Sequence, residues 1–185
     1  MYTGRIKAVV IGLAVAVSCV GASFAQDATA TEEDVTQITA IQGNRGPVTN
    51  LEMPRFVSLK ANEANVRRGP SLSHRIDWVF QRRDMPLRVV GEYGHWRRVV
   101  DREGMGGWVH YSLISGNRTV IVDEDLLSIH SQPNAQSAQV AMLEVGVVAD
   151  LGECDPNWCR IRAGGFRGWA PKTALFGVEA DELRD

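Results

Sequence analysis

The sequence has no long apolar run, little excess charge and few cysteines. Its longest apolar stretch, residues 8–20, is shorter than the ~17–25 residues that a membrane-spanning helix needs, so a permanent membrane anchor is not expected. The formal net charge is −2, which gives no reason to expect a polyanionic partner such as nucleic acid. There is no low-complexity tract, and 44% of the residues are hydrophobic, which is enough to build a globular core.

The start of the chain carries the pattern of a secretory signal peptide. Arg5 and Lys7 form a positive n-region, the apolar stretch follows, and Ser23 and Ala25 supply the small residues that a signal peptidase recognises. The pattern predicts a signal peptide over residues 1–25. Because the mature chain would begin at the next residue, we expect a periplasmic or secreted protein.

A lipidated cysteine is the alternative interpretation of the same region. Cys19 follows Ala16, Val17 and Ser18, and a lipobox cysteine also follows a short apolar segment. A lipobox prefers Leu, Val or Ile at the position of Ala16, which favours the secretory interpretation. Anchoring as a lipoprotein through Cys19 stays open as the alternative.

Export changes how the cysteines are interpreted. Without Cys19 the mature chain has two, Cys154 and Cys159, an even number in an oxidising compartment. They flank Asp-Pro-Asn-Trp between two predicted strands, so we expect a disulfide across a hairpin. The functional alternative is a redox-active pair, but the C-x-x-C spacing of thioredoxin-like sites is absent, which favours the structural disulfide.

One stretch of the chain occurs twice. Trp96 opens a short alternating strand, and Trp108 follows a turn that contains glycine; Trp158 and Trp169 repeat this order with one residue fewer between them. Two aligned anchors on each side of a loop indicate a true internal repeat. Each unit has roughly 60 residues, which suits a small domain and is too long for a solenoid repeat.

The repeat divides the chain into four parts after the signal peptide. Residues 26–55 are polar and lack aromatic residues, so we predict a disordered linker. The two repeats occupy residues 56–116 and 117–177, joined by a connection so short that the two units should pack together or hold a fixed angle. An acidic tail over residues 178–185 is expected to fray.

Both repeats show alternating segments of four to seven residues separated by turns, and neither shows helical periodicity. This pattern predicts an all-β barrel or sandwich, and at this size a partly open five-stranded barrel. The predicted strands of the first repeat lie at residues 56–60, around Val66, and at 76–80, 87–93, 96–100 and 107–110. Those of the second lie at residues 119–122, 126–129, 140–143, 147–151, 159–162 and 166–170.

These segments resemble the bacterial SH3-like domain. In the first copy the resemblance rests on Ala64-Asn-Val-Arg-Arg-Gly-Pro70, Trp96-Arg-Arg-Val and Gly107-Trp-Val-His-Tyr-Ser-Leu-Ile114. In the second it rests on Asn157-Trp-Cys-Arg-Ile161 and Gly168-Trp-Ala-Pro-Lys-Thr-Ala-Leu175. The layout is similar to exported tandem SH3-like proteins of Gram-negative bacteria. The resemblance implies two small β-barrels, an envelope location and binding of cell-wall peptides or envelope proteins.

The candidate binding residues lie in the first repeat. Trp96 opens a strand next to a loop and is a candidate for a partly exposed platform, whereas the alternative is that all the repeat tryptophans pack the barrels. Because neighbouring residues on a strand point to opposite faces, Arg97 and Arg98 cannot form one patch. We expect a groove for an acidic or carboxylate-bearing ligand, such as a wall stem peptide, formed by Tyr93, Trp96, Arg98, His110 and Tyr111.

Polyproline recognition is disfavoured in both repeats. SH3 domains that bind polyproline use a Pro and a Tyr near the end of the Gly-aromatic stretch. His110 and Leu113 stand at those positions in the first copy, and Pro171 and Ala174 in the second. Neither copy has both residues.

We expect neither an enzyme nor a cofactor. The histidines show no metal-ligand spacing, and a Cys-His peptidase would need a further domain beyond the two repeats. The predicted function is a non-enzymatic binding module that recognises peptidoglycan or its stem peptides, with the first copy binding and the second as support. The alternative is a scaffold subunit that docks on an envelope partner such as a wall hydrolase. The oligomeric state stays open.

Overall fold

The computed structural model describes residues 44–185. The predicted signal peptide, Cys19 and the first part of the predicted linker lie outside the described residues. The regular secondary structure of the described chain is β apart from two short 3-10 turns, and within the described residues no helix is long and apolar enough to cross a membrane. In the first half the elements are β1 Arg55–Leu59, β2 Ala64–Arg67, β3 Ile76–Phe80, β4 Pro86–Tyr93, β5 Trp96–Val100, β6 Gly106–His110, the 3-10 turn Tyr111–Leu113 and β7 Ile114–Ser115. In the second half they are β8 Thr119–Val122, β9 Leu127–His130, β10 Gln139–Leu143, β11 Val148–Cys154, β12 Trp158–Ala163, β13 Phe166–Pro171, the 3-10 turn Lys172–Ala174 and β14 Leu175–Phe176.

The two halves share one topology. The first sheet has the order β3-β2-β6-β5-β4-β1-β7, and the second has the order β10-β9-β13-β12-β11-β8-β14, which is the same order seven strands later. All the pairings are antiparallel. We refer to β1–β7 as barrel 1 and to β8–β14 as barrel 2. The prediction of two tandem all-β units is confirmed, with seven strand segments in each unit where six segments and a five-stranded barrel were predicted.

Each barrel has its own apolar core. Side chains alternate between the two faces along each strand, and the core is built from those that face inward. On β5, for example, Val99 is fully buried while Arg98 is exposed. The fully buried residues of barrel 1 include Leu59, Val66, Leu87, Val89, Val99 and Val109. Those of barrel 2 include Val120, Val122, Ile129, Cys159 and Ala170.

One inward-facing position is filled by different chemistry in the two barrels. Where β4 and β5 approach their connecting turn, Glu92 pairs with Arg97, and Arg97 Nε lies 3.4 Å from Glu92 Oε1. At the equivalent position of β11 and β12, Cys154 pairs with Cys159 and the two form a disulfide. The predicted disulfide is therefore present, and it occupies the place of a buried ion pair in barrel 1.

Residues 44–54 belong to the segment predicted as a disordered linker, and here the structure differs from the prediction. The backbone N–H groups of Val48 and Thr49 donate to Glu92 Oε2 at 3.1 and 2.9 Å, and the Thr49 hydroxyl donates to Oε1 at 2.7 Å. A Cβ at Gly46 would overlap the Glu92 carboxylate. The segment is ordered because it satisfies a buried carboxylate, and this contact is invisible in its polar composition.

The acidic tail also differs from the prediction, because it packs on barrel 2 instead of fraying. Arg184 exchanges two backbone hydrogen bonds with Cys154, at 2.7 and 3.1 Å. The Lys172 ammonium donates to the carbonyl oxygens of Ala180 and Glu182. Glu182 also accepts two hydrogen bonds from Arg118, at 2.7 and 2.9 Å. These contacts outweigh the repulsion between the acidic side chains of the tail.

Aromatic and ionic contacts join the two barrels across the short connection at residues 116–118. Phe56 of barrel 1 meets Phe176 of barrel 2 edge to face, with ring centroids 5.3 Å apart. Arg88 of barrel 1 pairs with Glu179 of the tail at 3.0 Å. The barrels therefore contact each other directly, as the short connection predicted.

We predict that the disulfide stabilises barrel 2. Replacing both Cys154 and Cys159 with alanine should lower the free energy of unfolding by about 2 kcal/mol, because the cross-link restricts a short loop in the unfolded chain. Denaturant titration of the exported protein would measure this change. Thiol titration of the unfolded, unreduced protein provides the check on the bond itself, and two reactive thiols would contradict it.

We predict that the hydrogen bonds of Glu92 make the free energy of unfolding depend on pH in the acid range. Burial alone would raise the pKa of Glu92, but hydrogen bonds from Thr49, Arg55 and Val48 outweigh it and lower the pKa from 4.5 to about 2. The ionised Glu92 carboxylate therefore stabilises the folded state fully above its unfolded-state pKa of 4.5. This contribution is lost as the pH falls towards the folded-state pKa of about 2. Glu92→Gln should therefore lower the free energy of unfolding by about 3 kcal/mol at pH 7 and have little effect near pH 2.

The matched control for this prediction is Glu153→Gln. Glu153 lies on β11 and forms an exposed ion pair with Arg160 at 3.3 Å, and such a pair contributes about 0–1 kcal/mol. Urea unfolding of both variants between pH 2 and 7 makes the comparison. A Glu92→Gln difference that is the same at all pH values would contradict the prediction.

Candidate functional site

The repeat tryptophans lie on the outer faces of the sheets. Trp96, Trp108, Trp158 and Trp169 are half-buried, and none belongs to either apolar core. The tryptophans therefore do not fill the cores, and the platform role of Trp96 and Trp158 stays a prediction. Each tryptophan is covered on one side by its cross-strand neighbours, which leaves the other side for contact with a ligand.

A cross-strand row on barrel 1 brings several of the predicted site residues together. Trp96 pairs in register with Tyr93 on one side and with His110 on the other. The Trp96 and His110 rings meet edge to face with centroids 5.6 Å apart, and the Tyr111 ring lies 4.9 Å from that of His110. His95, in the turn between β4 and β5, stacks on Tyr111 at 5.6 Å.

The turn that presents these rings is held from inside the barrel. Arg97 is buried, and its Nη1 donates to the carbonyl oxygens of Gly94 and Trp96 at 2.9 and 2.8 Å. Gly94 has a φ of 49°, a left-handed conformation that glycine adopts without a steric penalty. As predicted, Arg97 and Arg98 point to opposite faces, and the inward one supports the aromatic cluster.

The loop between β2 and β3 forms the second wall of the site. Arg67 Nη1 donates to the carbonyl oxygens of Leu72 and His74 at 3.0 and 2.6 Å. Nearby, Arg75 donates to Asp77 at 2.7 Å, and this hydrogen bond lowers the pKa of Asp77. The loop is therefore fixed in shape, and it presents Leu72 with 77% of its surface exposed.

Between these walls lies a cleft of about 560 Å³, which we call the aromatic cleft. It is lined by Ser71 and Leu72 from the loop and by His95, Trp96 and His110 from the sheet. Concave apolar surfaces with a few polar groups are the usual form of ligand sites. The aromatic cleft can therefore hold an apolar or ring-shaped group against Trp96.

The structure brings Trp96, His110 and Tyr111 together, but it places the other two predicted residues at the margin. Tyr93 is 64% exposed and does not line the cleft. Arg98 lies on the same face of β5 as Trp96 and pairs in register with Trp108. Among residues 44–185, no carboxylate forms an ion pair with Arg98.

Three residues that line the cleft, Ser71, Leu72 and His95, are absent from the predicted site. The signal for Leu72 was its place as a single large apolar residue in the turn Gly69-Pro-Ser-Leu-Ser73. Single exposed apolar residues are common on protein surfaces, so this signal becomes specific only once the structure places Leu72 opposite Trp96.

Barrel 2 has a different groove at the corresponding place. Trp158 pairs with Pro171, as Trp96 pairs with His110 in barrel 1. The acidic tail forms the other wall, so that a mainly apolar groove of about 360 Å³ results, which we call the tail groove. Its lining residues are Pro156, Asn157, Trp158, Pro171, Lys172, Thr173, Val178 and Ala180.

The described part of the chain holds no cluster of three or more His, Cys, Asp or Glu side chains that could bind a metal ion. Both cysteines in it are joined in the disulfide. The His110 Nδ1 lies 2.7 Å from the Ser112 hydroxyl, a contact at the start of the 3-10 turn Tyr111–Leu113. This geometry is that of a turn-capping contact between a side chain and its neighbour two residues later.

Comparison with known proteins identifies the family. The model of the bacterial SH3 domain matches residues 60–116 and 124–177, one match in each barrel. No curated protein matches the sequence. Two solved structures are similar to parts of the chain, NlpC2 and NlpC1 from Trichomonas vaginalis, each with 14% sequence identity and a TM-score of 0.33.

The alignments with these two structures cover 67% and 71% of this chain. The chain spans about half the length of each of them, 48% in both cases. The family is assigned from the two domain matches, which together include most of both barrels. The chain belongs to the bacterial SH3 domain family and carries two such domains in tandem.

Proposed function

We propose that the protein is a non-enzymatic binding protein of the cell envelope and that the aromatic cleft of barrel 1 binds peptidoglycan or its stem peptides. The observation that carries this proposal is the cleft itself, in which Trp96 and His110 face an exposed Leu72 across about 560 Å³. Bacterial SH3 domains point to binding of peptides or proteins. A disulfide and the domain family are both consistent with an extracytoplasmic protein.

The chemistry around the cleft suits a ligand with both apolar and carboxylate groups. Trp96 offers a ring face for an apolar chain or a sugar ring. Arg98 lies on the same face, two residues along β5, and its guanidinium has no carboxylate partner among the described residues. A guanidinium binds a carboxylate through strong charge-assisted hydrogen bonds. A stem peptide supplies such carboxylates next to small apolar side chains.

The geometry around the cleft favours binding over catalysis. The side chain that contacts His110 Nδ1 is the Ser112 hydroxyl, and no carboxylate among residues 44–185 pairs with that imidazole to orient it as a base. A nucleophile and base normally need such a third group. We therefore propose that the aromatic cleft binds its ligand without transforming it, in a periplasmic or secreted protein.

A scaffold function is the alternative, and the tail groove favours it. That groove is mainly apolar, and its one lysine, Lys172, already donates to two backbone carbonyl oxygens of the tail. An apolar groove without a free charge suits a segment of a protein partner better than a charged wall peptide. In this alternative barrel 2 docks on another envelope protein.

The test of the proposed function is sedimentation with purified peptidoglycan sacculi. Replacing Trp96 and Arg98 together with alanine should weaken retention about tenfold or more, since both side chains would contact the ligand. Because Trp96 is half-buried, its truncation costs some stability, so thermal unfolding must show that the double variant is folded at the temperature of the assay. Unchanged retention of this double variant would reject the aromatic cleft as the binding site.

The matched control is the double variant Trp158→Ala and Arg160→Ala, which removes the equivalent pair from barrel 2. We expect it to be retained on sacculi within about twofold of the unchanged protein. The scaffold function predicts a different result: retention that requires added envelope proteins and is lost in the variant with Trp158→Ala and Arg160→Ala. That result would reject peptidoglycan binding by the aromatic cleft.

A further inference from the structure

A second cavity lies between the two barrels, away from the aromatic cleft. Its volume is about 390 Å³, and we call it the inter-barrel cleft. Its walls come from the segment before β1, from the connection between the barrels and from the acidic tail. The lining residues are Glu52, Pro54, Arg55, Phe56, Arg118, Glu179, Asp181 and Glu182.

One wall of the inter-barrel cleft is positive. The Arg55 side chain is 19% exposed, and its Nη2 lies 2.8 Å from Glu92 Oε1. The same carboxylate oxygen is approached by Arg97 Nε at 3.4 Å, so two guanidinium groups share one carboxylate. The buried cluster at this wall therefore carries one excess positive charge, which an anionic group in the cleft would neutralise.

Unused hydrogen-bond donors lie at the same wall. Arg55 Nη1 and Arg118 Nε are buried and have no hydrogen-bond partner. For Arg118 the neighbouring Phe56 ring, 5.7 Å from the guanidinium carbon, supplies a partial substitute. Arg55 Nη1 has no such substitute. Neither nitrogen has accessible surface, so a ligand in the cleft would meet the exposed part of the Arg55 side chain, and its carboxylate would offset the positive charge of the cluster.

The mouth of the cleft is negative. Asp181 is exposed, and within the described chain it makes neither an ion pair nor a side-chain hydrogen bond. Glu52 is also exposed, and its nearest cation is Arg45 at 3.8 Å. By contrast, Glu179 and Glu182 are paired with Arg88 and Arg118. Carboxylates that lack a close partner at the mouth would attract an ammonium group.

We propose that the inter-barrel cleft binds a small zwitterion, an amino acid or a short peptide with free amino and carboxyl ends. The carboxylate would meet Arg55 at the inner wall, and the ammonium group would meet Asp181 at the mouth. The carboxylate of Asp181 at the mouth would repel a ligand that carries only a negative charge. A ligand that carries only a positive charge would leave the Arg55 guanidinium at the inner wall without an anionic partner. The volume is at the lower end of the range of small-molecule sites.

This site is separate from the one proposed above. None of the residues that line the inter-barrel cleft lines the aromatic cleft. Because three chain segments meet at it, a bound zwitterion would also stabilise the contact between the barrels. The proposal therefore concerns a second ligand, and the two sites can be tested independently.

The experiment uses three probes that differ by one charge each: alanyl-alanine, its N-acetylated form and its C-terminal amide. Calorimetry on the exported protein should find binding of alanyl-alanine, and blocking either end should weaken it about tenfold or more. Amide NMR shifts should map the binding to the lining residues of the inter-barrel cleft. Equal affinity for all three probes, or no binding of the free dipeptide, would overturn the proposal.

Two substitutions test which residues bind the ammonium and carboxylate ends of the dipeptide. Asp181→Asn should weaken binding of alanyl-alanine about fivefold or more and leave binding of the N-acetylated probe unchanged. Arg55→Gln should weaken binding about tenfold, whereas the control Arg102→Gln, which removes the 3.5 Å contact between Arg102 and Asp123 of barrel 2 outside the cleft, should stay within about twofold. Equal losses in the two arginine variants, or no effect of Asp181→Asn, would contradict the site.

The double variant Trp96→Ala and Arg98→Ala separates this inference from the proposed function. It should bind alanyl-alanine as the unchanged protein does. A loss of dipeptide binding in this variant would place the dipeptide in the aromatic cleft and overturn the inter-barrel site. Loss of sacculus retention alone would leave the inter-barrel site supported.

Discussion

The inward-facing cross-strand pair near the end of the fourth and fifth strands is the contact on which the rest of each barrel depends. In barrel 1 this pair is Glu92 with Arg97, whose side chains are almost fully buried. A buried ion pair is tolerated only when its remaining oxygens and nitrogens have partners. Arg97 finds them in the turn that presents Trp96, and Glu92 finds them in Val48, Thr49 and Arg55. One pair thus orders both the aromatic cleft and the segment before β1.

Barrel 2 reaches a similar arrangement by different chemistry. The disulfide between Cys154 and Cys159 needs no polar partners, and the backbone of Cys154 instead pairs with Arg184 of the tail. Both ends of the described chain therefore return to the same place in their barrels. Because they do so on neighbouring barrels, both contribute to the lining of the inter-barrel cleft, with Glu52 from one end and Asp181 from the other.

The outer faces show how one fold can carry two different surfaces. Strand order and the outward tryptophans are the same in both barrels, but the partner of the first tryptophan is His110 in barrel 1 and Pro171 in barrel 2. The loop before β3 then adds Leu72 to barrel 1, whereas the tail adds Val178 to barrel 2. An aromatic cleft beside a loop and an apolar groove beside the tail result from changes that leave the cores untouched.

The sequence by itself determined the strands, the repeat and the disulfide, because each depends on residues close together in the chain. The alternation of apolar and polar residues predicted the observed bounds of β5 and β8, and the spacing of Cys154 and Cys159 predicted that they pair across one hairpin. Of the five predicted site residues, Trp96 and His110 line the aromatic cleft because they pair across adjoining strands, and Tyr111 contacts His110 from the turn that follows. Only the tertiary structure decided where residues 44–54 and the tail lie. The order of residues 44–54 and of the tail depends on Glu92 and Arg118, which are about 40 and 60 residues away in the chain, and composition carries no signal for contacts at that distance.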